Sequence, residues 1–213
     1  IGPCGTMQSA GAAFNWVKNE ICKIEQEKAS LLGISPYQII NEEIAQSSPT
    51  ANGLLFLPYL MGERSPRWNP NARGAFIGLK MEHKRSDLLR SVIEGIAMNL
   101  NIILNVLKKD IQIDEMIVIG GMAKGDIILQ ILADVFGMNI LKLNYLDEAT
   151  SMGAAVTAGV GIGELSGFHE INKFIAIDGV TKPNKQNVEI YREFTDIFNE
   201  AYFSLGKVYD RLL

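Results

Sequence analysis

Apolar residues recur along the chain with helical and strand-like periods. Leu89, Ile93, Ile96, Leu100, Ile103 and Leu107 step by four, three, four, three and four, which puts them on one face of a long helix. Ser86, small and polar just ahead of that stripe, is expected to cap its start. Ile127, Ile128, Ile131, Leu132, Val135 and Phe136 form a second apolar face, and Gly137 stops it. Before that helix runs Met116–Ile119, an unbroken apolar stretch that reads as a central strand with the Leu89–Leu107 helix packed on it. Weaker patterns predict helices near 8–28 and 35–46, the second capped by Ser35 with Pro36 in its first turn. Short strands are predicted at Leu54–Leu57, within Gly74–Leu79 and at Asn139–Leu143. Thr150–Gly161 reads as a small-residue helix that allows close packing, and a last helix runs from about Val188 to Leu212.

Strands alternating with helices imply one α/β domain, with a parallel or mixed sheet flanked by helices. Ligands in such sheets sit at the carboxyl ends of strands. Gly120 and Gly121 fall at such an end, in "MIVIGGMAKGDIILQILADVFG".

Composition narrows the function classes. The chain has 213 residues, 47% hydrophobic and 21% charged, enough to bury a sizeable core. A net charge of −4 gives no electrostatic footprint for nucleic acid or an anionic membrane surface. No apolar run approaches the roughly 20 residues that span a bilayer, and no signal peptide opens the chain. Cys4 and Cys22 form no Cys-x-x-Cys or Cys/His cluster, which argues against a zinc site and a disulfide framework. A cytoplasmic protein is expected. The chain begins at Ile1, without Met and inside what looks like a motif, and is read as processed or truncated.

The glycine pair fits neither common phosphate-binding pattern. A Walker A loop needs Lys after its last glycine and then a hydroxyl, whereas "GGMAKGD" has Lys124 before the glycine. The glycines also miss the G-x-G-x-x-G spacing, and Asp126 near the helix start would repel a phosphate there. Bare backbone beside an acid suits a flat neutral group such as adenine. A plain tight turn with glycine at positive φ stays equally open on the residues alone.

Three motifs in order then resemble the C-terminal half of the FGGY carbohydrate kinases, within the actin/ribonuclease-H-like ATPase superfamily. "GAFIGLKMEHKRSDLLRSVIE" is similar to the family signature, with Gly74, Phe76, Gly78, Leu79, Asp87, Leu88, Ser91 and Glu94 at matching spacing. "GGMAKGDIILQILADVFG" resembles the nucleotide-binding turn and helix, including Gln130, Ala133 and Asp134, and "EATSMGAAVTAGVGIG" the small-residue helix after it. "PYLMGERSPRWNPNARG" looks most like the xylulokinase branch.

The resemblance implies an actin-like nucleotide-binding domain over residues 1–213, lacking its first strands. Its partner would be an N-terminal sugar-binding domain of the same parent chain, and a homodimer is compatible with it. It implies ATP and Mg²⁺ as cofactors, the metal held mainly through the nucleotide phosphates. Gly121, Gly125, Gly120 and Met122 would hold adenine and ribose. Gly125 stands where Ser or Asn is often found. Gly11 and Asn15, in "SAGAAFNW", would line the other side of the nucleotide. The reaction implied is transfer of the ATP γ-phosphoryl group to a ketopentose such as D-xylulose. Gluconate, ribulose and glycerol are alternative acceptors, and a non-catalytic actin-like nucleotide-binding or assembly module is the alternative of another class. The catalytic aspartate and the phosphate loop would lie upstream of Ile1. His83 and His169 are expected at the surface and Trp16 in packing. The Glu63–Arg73 loop either faces an interdomain cleft or closes on itself by salt bridges.

Overall fold

The computed structural model describes residues 3–212. Its backbone is a long buried helix with a layer of helices on one side and small sheets at its flanks. Helix α1 (Ala10–Trp16) runs through a π-helical turn, Val17–Ile21, before α2 (Lys23–Leu32) and α3 (Pro36–Ala45). The single helix expected near 8–28 is thus broken at Cys22. Arg85 stabilises the break, donating to the Ile21 carbonyl at 2.7 Å and forming a two-pronged pair with buried Glu25 at 2.6 Å. Such a planar guanidinium–carboxylate fork fixes orientation as well as distance.

Strands β1 (Leu55–Leu57) and β2 (Ala75–Ile77) pair antiparallel. Helix α4 (Arg85–Leu107) follows and packs on α3, on β1 and on α5 (Asp126–Phe136). By length and composition α4 is apolar enough to cross a membrane, but most of it is buried in the protein. Strand β3 (Glu115–Val118) pairs parallel with β4 (Asn139–Leu143), which pairs antiparallel with β5 (Ile177–Thr181). Helix α6 (Ala149–Gly161) lies between β4 and β5, and α7 (Lys185–Ser204) and the short α8 (Gly206–Tyr209) close the chain. Ser35 does occupy the N-cap position of α3, with Pro36 next to it.

Several expectations need correction. Ser86 does not cap α4. The helix starts one residue earlier, so Ser86 lies inside the first turn and Asp87 Oδ2 accepts from the Lys84 amide at 2.8 Å. The strand at Met116–Ile119 is not central: β4 is, and β3 forms an edge with Ile117 52% and Ile119 45% exposed. Helix α4 does not pack tightly on it either, because an open groove of about 480 Å³ lies between its Leu100–Leu107 stretch and β3. An apolar run records avoidance of water, not which neighbour covers it. Helix α6 buries only Val156, so most of its small residues meet no packing partner. Trp16 is 40% exposed rather than packed. β5 alternates weakly and gave no periodic signal in the sequence.

The polar core of the domain lies on α4. Glu94 is fully buried, and its Oε1 accepts from Arg90 Nε at 2.7 Å, Tyr191 Oη at 2.5 Å and the Thr50 amide at 2.9 Å. Thr50, Ala51 and Asn52 are left-handed, at φ 66°, 46° and 55°, a costly conformation for side chains with a Cβ. Glu94 holds that turn at Thr50, and Asp87 holds it by accepting from Asn52 Nδ2 at 2.8 Å.

The Glu63–Arg73 loop also turns inward. Glu63 accepts from the Gln8 and Arg64 amides and from Asn99 Nδ2. Among the described residues Arg67 has no carboxylate partner; its guanidinium lies 3.7 Å from the Tyr202 ring centroid and donates to Asn199. Of the two readings of this loop, closure on itself describes Glu63, through hydrogen bonds rather than salt bridges. His83 is likewise tied down, accepting from the Lys80 amide and contacting the Asn52 carbonyl. His169 lies at the surface, with its side chain largely exposed.

Candidate functional site

The turn after β3 needs glycine for a conformational reason at Gly120 and for a steric one at Gly125. Gly120 sits at φ 82°, ψ −173°, a region essentially reserved for glycine. Its amide donates to the Leu146 carbonyl at 3.1 Å, which ties the turn to the loop beyond β4. A 3₁₀ turn, Gly121–Lys124, follows, and Gly125 starts α5. A Cβ on Gly121 would meet no atom within 4 Å, so its bare face looks into open space.

That space is a cavity of about 740 Å³. Gly121, Met122, Gly125 and the start of α5 form one wall. Gly11 and Phe14 of α1, with Tyr37, Asn41 and Ala45 of α3, form the other. The Phe14 and Tyr37 rings lie 5.2 Å apart, centroid to centroid, so much of the opposite wall is aromatic. Aromatic rings and bare glycine backbone in one lining suit a planar, largely apolar group.

Of the residues singled out in the sequence, Gly11, Gly121, Met122 and Gly125 line this cavity. Gly120 does not line it but sets the turn that does. Asn15, one turn further along α1, does not line the cavity either; its Oδ1 accepts from the Oη of Tyr37, which does, at 3.4 Å. Tyr37 and Asn41 were missed. Their spacing of four along α3 put them on one helix face, a pattern that a solvated face shows equally well.

Charge is sparse inside. The Asp126 side chain is 96% exposed and reaches toward Lys142 at 3.8 Å. Lys124, the cation in the lining, pairs with Asp147 at 2.5 Å on the surface. Asp134, on the buried side of α5, accepts from the Asn184 amide and from the Asn187 and Gln130 side chains, a structural role that locks α7 onto α5.

Comparison with known proteins gives a consistent result. The profile described as the FGGY family of carbohydrate kinases, C-terminal domain, matches residues 1–162. A xylulose kinase from Staphylococcus epidermidis is 34% identical over 200 residues, which covers 93% of this chain and 38% of that protein. A gluconate kinase structure from Lactobacillus acidophilus superposes with TM-score 0.81 at 28% identity, over 97% of this chain and 40% of that one. A Plasmodium falciparum glycerol kinase structure with ADP superposes with TM-score 0.70 at 26% identity, over 92% of this chain and 37% of that one. The chain therefore spans about two fifths of the length of the curated relatives it matches. The mixed α/β fold, helices against a mixed sheet, is that of the actin-like ATPases, as expected from the sequence.

Proposed function

The chain belongs to the FGGY family of carbohydrate kinases, as its C-terminal domain, and from that premise we propose that it is the nucleotide-binding part of an ATP-dependent sugar kinase. The observation that supports this most is convergence. Gly11, from the first helix, and Gly121, Met122 and Gly125, from more than a hundred residues later, line one slot. Adenine would lie over Gly121 and Gly125 with Phe14 and Tyr37 opposite, and the ribose would extend toward Asn15.

Bound ATP would supply the phosphoryl group, and Mg²⁺ held by its phosphates would supply charge neutralisation. The chain's contribution in this reading is to hold the base and ribose, through Gly11, Gly121, Met122 and Gly125. Phosphoryl transfer needs little covalent chemistry from the protein and depends on positioning. In this reading α1, α3 and the glycine turn fix the donor, and an N-terminal sugar-binding domain of the same protein presents the hydroxyl. Closure of the two would exclude water. The acceptor we favour is a ketopentose, on the motif "PYLMGERSPRWNPNARG" and the similarity to a xylulose kinase. Measuring ATP-dependent turnover of D-xylulose, gluconate, ribulose and glycerol by the full-length protein tests the choice. A kcat/KM for gluconate above that for D-xylulose would overturn it.

Gly121→Val separates a ligand slot from a plain turn. The new side chain's Cβ would meet nothing within 4 Å, at a residue that lines the cavity. Displacing a bound ring by that much volume costs roughly 1–3 kcal/mol, so ADP affinity of the full-length protein should fall by about tenfold or more with little change in Tm. Gly120→Val is the converse case: its positive φ should cost roughly 1–3 kcal/mol of fold stability. Unchanged ADP affinity in a folded Gly121→Val protein would return the turn to a purely structural role.

A further inference from the structure

Asn41, in the cavity wall, has a side-chain oxygen that no partner reaches among the described residues. It lies one turn beyond Tyr37 on α3, on the same helix face. Its Oδ1 is buried and accepts no hydrogen bond among the described residues. Its Nδ2 lies 2.5 Å, and its Cγ 3.1 Å, from the point where a Cβ on Gly125 would stand. Gly125 has φ −100°, which any residue adopts, so glycine is needed there for space and not for backbone freedom. A side chain at 125 would displace the Asn41 amide. Buried amide groups in folded proteins nearly always find a partner, and an orphan in the wall of a slot points to a ligand that satisfies it.

We infer that Asn41 reads the edge of the purine base, an assignment that rests on the nucleotide reading above. The orphan carboxamide oxygen is an acceptor, and the 6-amino group of adenine is the donor that matches it. A half-turn about the carboxamide's terminal bond exchanges its two ends without changing its shape, so the amide can present either end to the slot. Gln38, the other carboxamide in the lining, is exposed, where water competes for it. Asn41 is thus a specificity residue for the base, supplied from α3 across the gap that Gly125 leaves open.

The test couples the side chain to one group on the ligand. ADP and the diphosphate of purine riboside, which lacks the 6-amino group, are titrated calorimetrically into the full-length protein and into Asn41→Leu, a near-isosteric variant. One hydrogen bond from the 6-amino group to the amide oxygen discriminates by roughly three- to 13-fold. The wild-type protein should show a preference for ADP in that range, and Asn41→Leu should bind both ligands within about twofold. Gly125→Ser, whose Cβ occupies the position of the amide, should lose the preference in the same way, and thermal melts establish that each variant is folded. An ADP preference that survives in both folded variants, or is absent from the wild type, overturns the role of Asn41 alone. Failure of the wild-type protein to bind ADP overturns the nucleotide reading and this assignment with it.

Discussion

Purified by itself, the 213-residue chain is expected to show no sugar-dependent ATP turnover above background. Holding two reactants in line contributes roughly 7–11 kcal/mol to such reactions, and the slot described here holds only one of them. A general base adds roughly 10²–10⁴-fold, and the acids of this chain are poorly placed to act as one. Asp87, Glu94 and Asp134 are buried and occupied by Ser47 and Asn52, by Arg90 and Tyr191, and by Asn184 and Asn187 respectively. Glu63 is buried under the Asn99 side chain and two amides. Asp126 and Glu42 border the slot on the side of the base. A coupled assay with D-xylulose and ATP, run beside the full-length protein, checks the expectation. Turnover by the isolated chain within tenfold of the full-length rate would place the base on this chain and sink the proposed division of labour.

Glu94→Ala is expected to be the most destabilising single change in the domain. It leaves the Arg90 guanidinium buried without its charge partner, a loss of about 3–5 kcal/mol when one half of such a pair is removed. It also releases the Thr50 amide and with it the left-handed turn at Thr50–Asn52. Burial pushes the Glu94 carboxyl up to about 7, against the opposing pull of Arg90 and its hydrogen bonds. A carboxyl whose folded pKa lies above its unfolded one binds its proton more tightly when folded, so its stabilising effect is complete below about pH 4.5. That contribution is lost as pH rises through about 7, up to roughly 3 kcal/mol at 1.36 kcal/mol per unit. Glu94→Gln, which imitates the protonated acid, should therefore match the wild type near pH 5 and flatten its pH dependence. Chemical denaturation between pH 4.5 and 8 measures both effects. A wild-type stability that rises with pH across that window would show that Arg90, not burial, governs Glu94.

Much of the fold could be read from periodicity because burial on one face leaves a repeating trace. Residues Leu89–Leu107 and Ile127–Phe136 form the helices their stripes predicted, and Asn139–Leu143 is a strand. The glycine turn was legible for a similar reason: glycine is scarce where backbone is regular, so Gly120 and Gly121 after an apolar run mark a special geometry. Gly11, far away in sequence, was reached only through resemblance, since a glycine in a helix carries no signal of what it faces.

What the sequence determined by itself, then, was which segments are regular, which face of each is apolar and where the backbone must be bare, all local properties of the chain. The tertiary structure decided which surfaces meet. It placed β3 at an edge and left α6 largely uncovered, because an apolar or small residue specifies no particular neighbour. It placed the N-cap of α4 at Lys84, two residues before Ser86, so that the Asp87 side chain is the one that reaches the free amide. It also brought Asn41 against Gly125, two positions 84 residues apart that are related by a steric gap no spacing rule records.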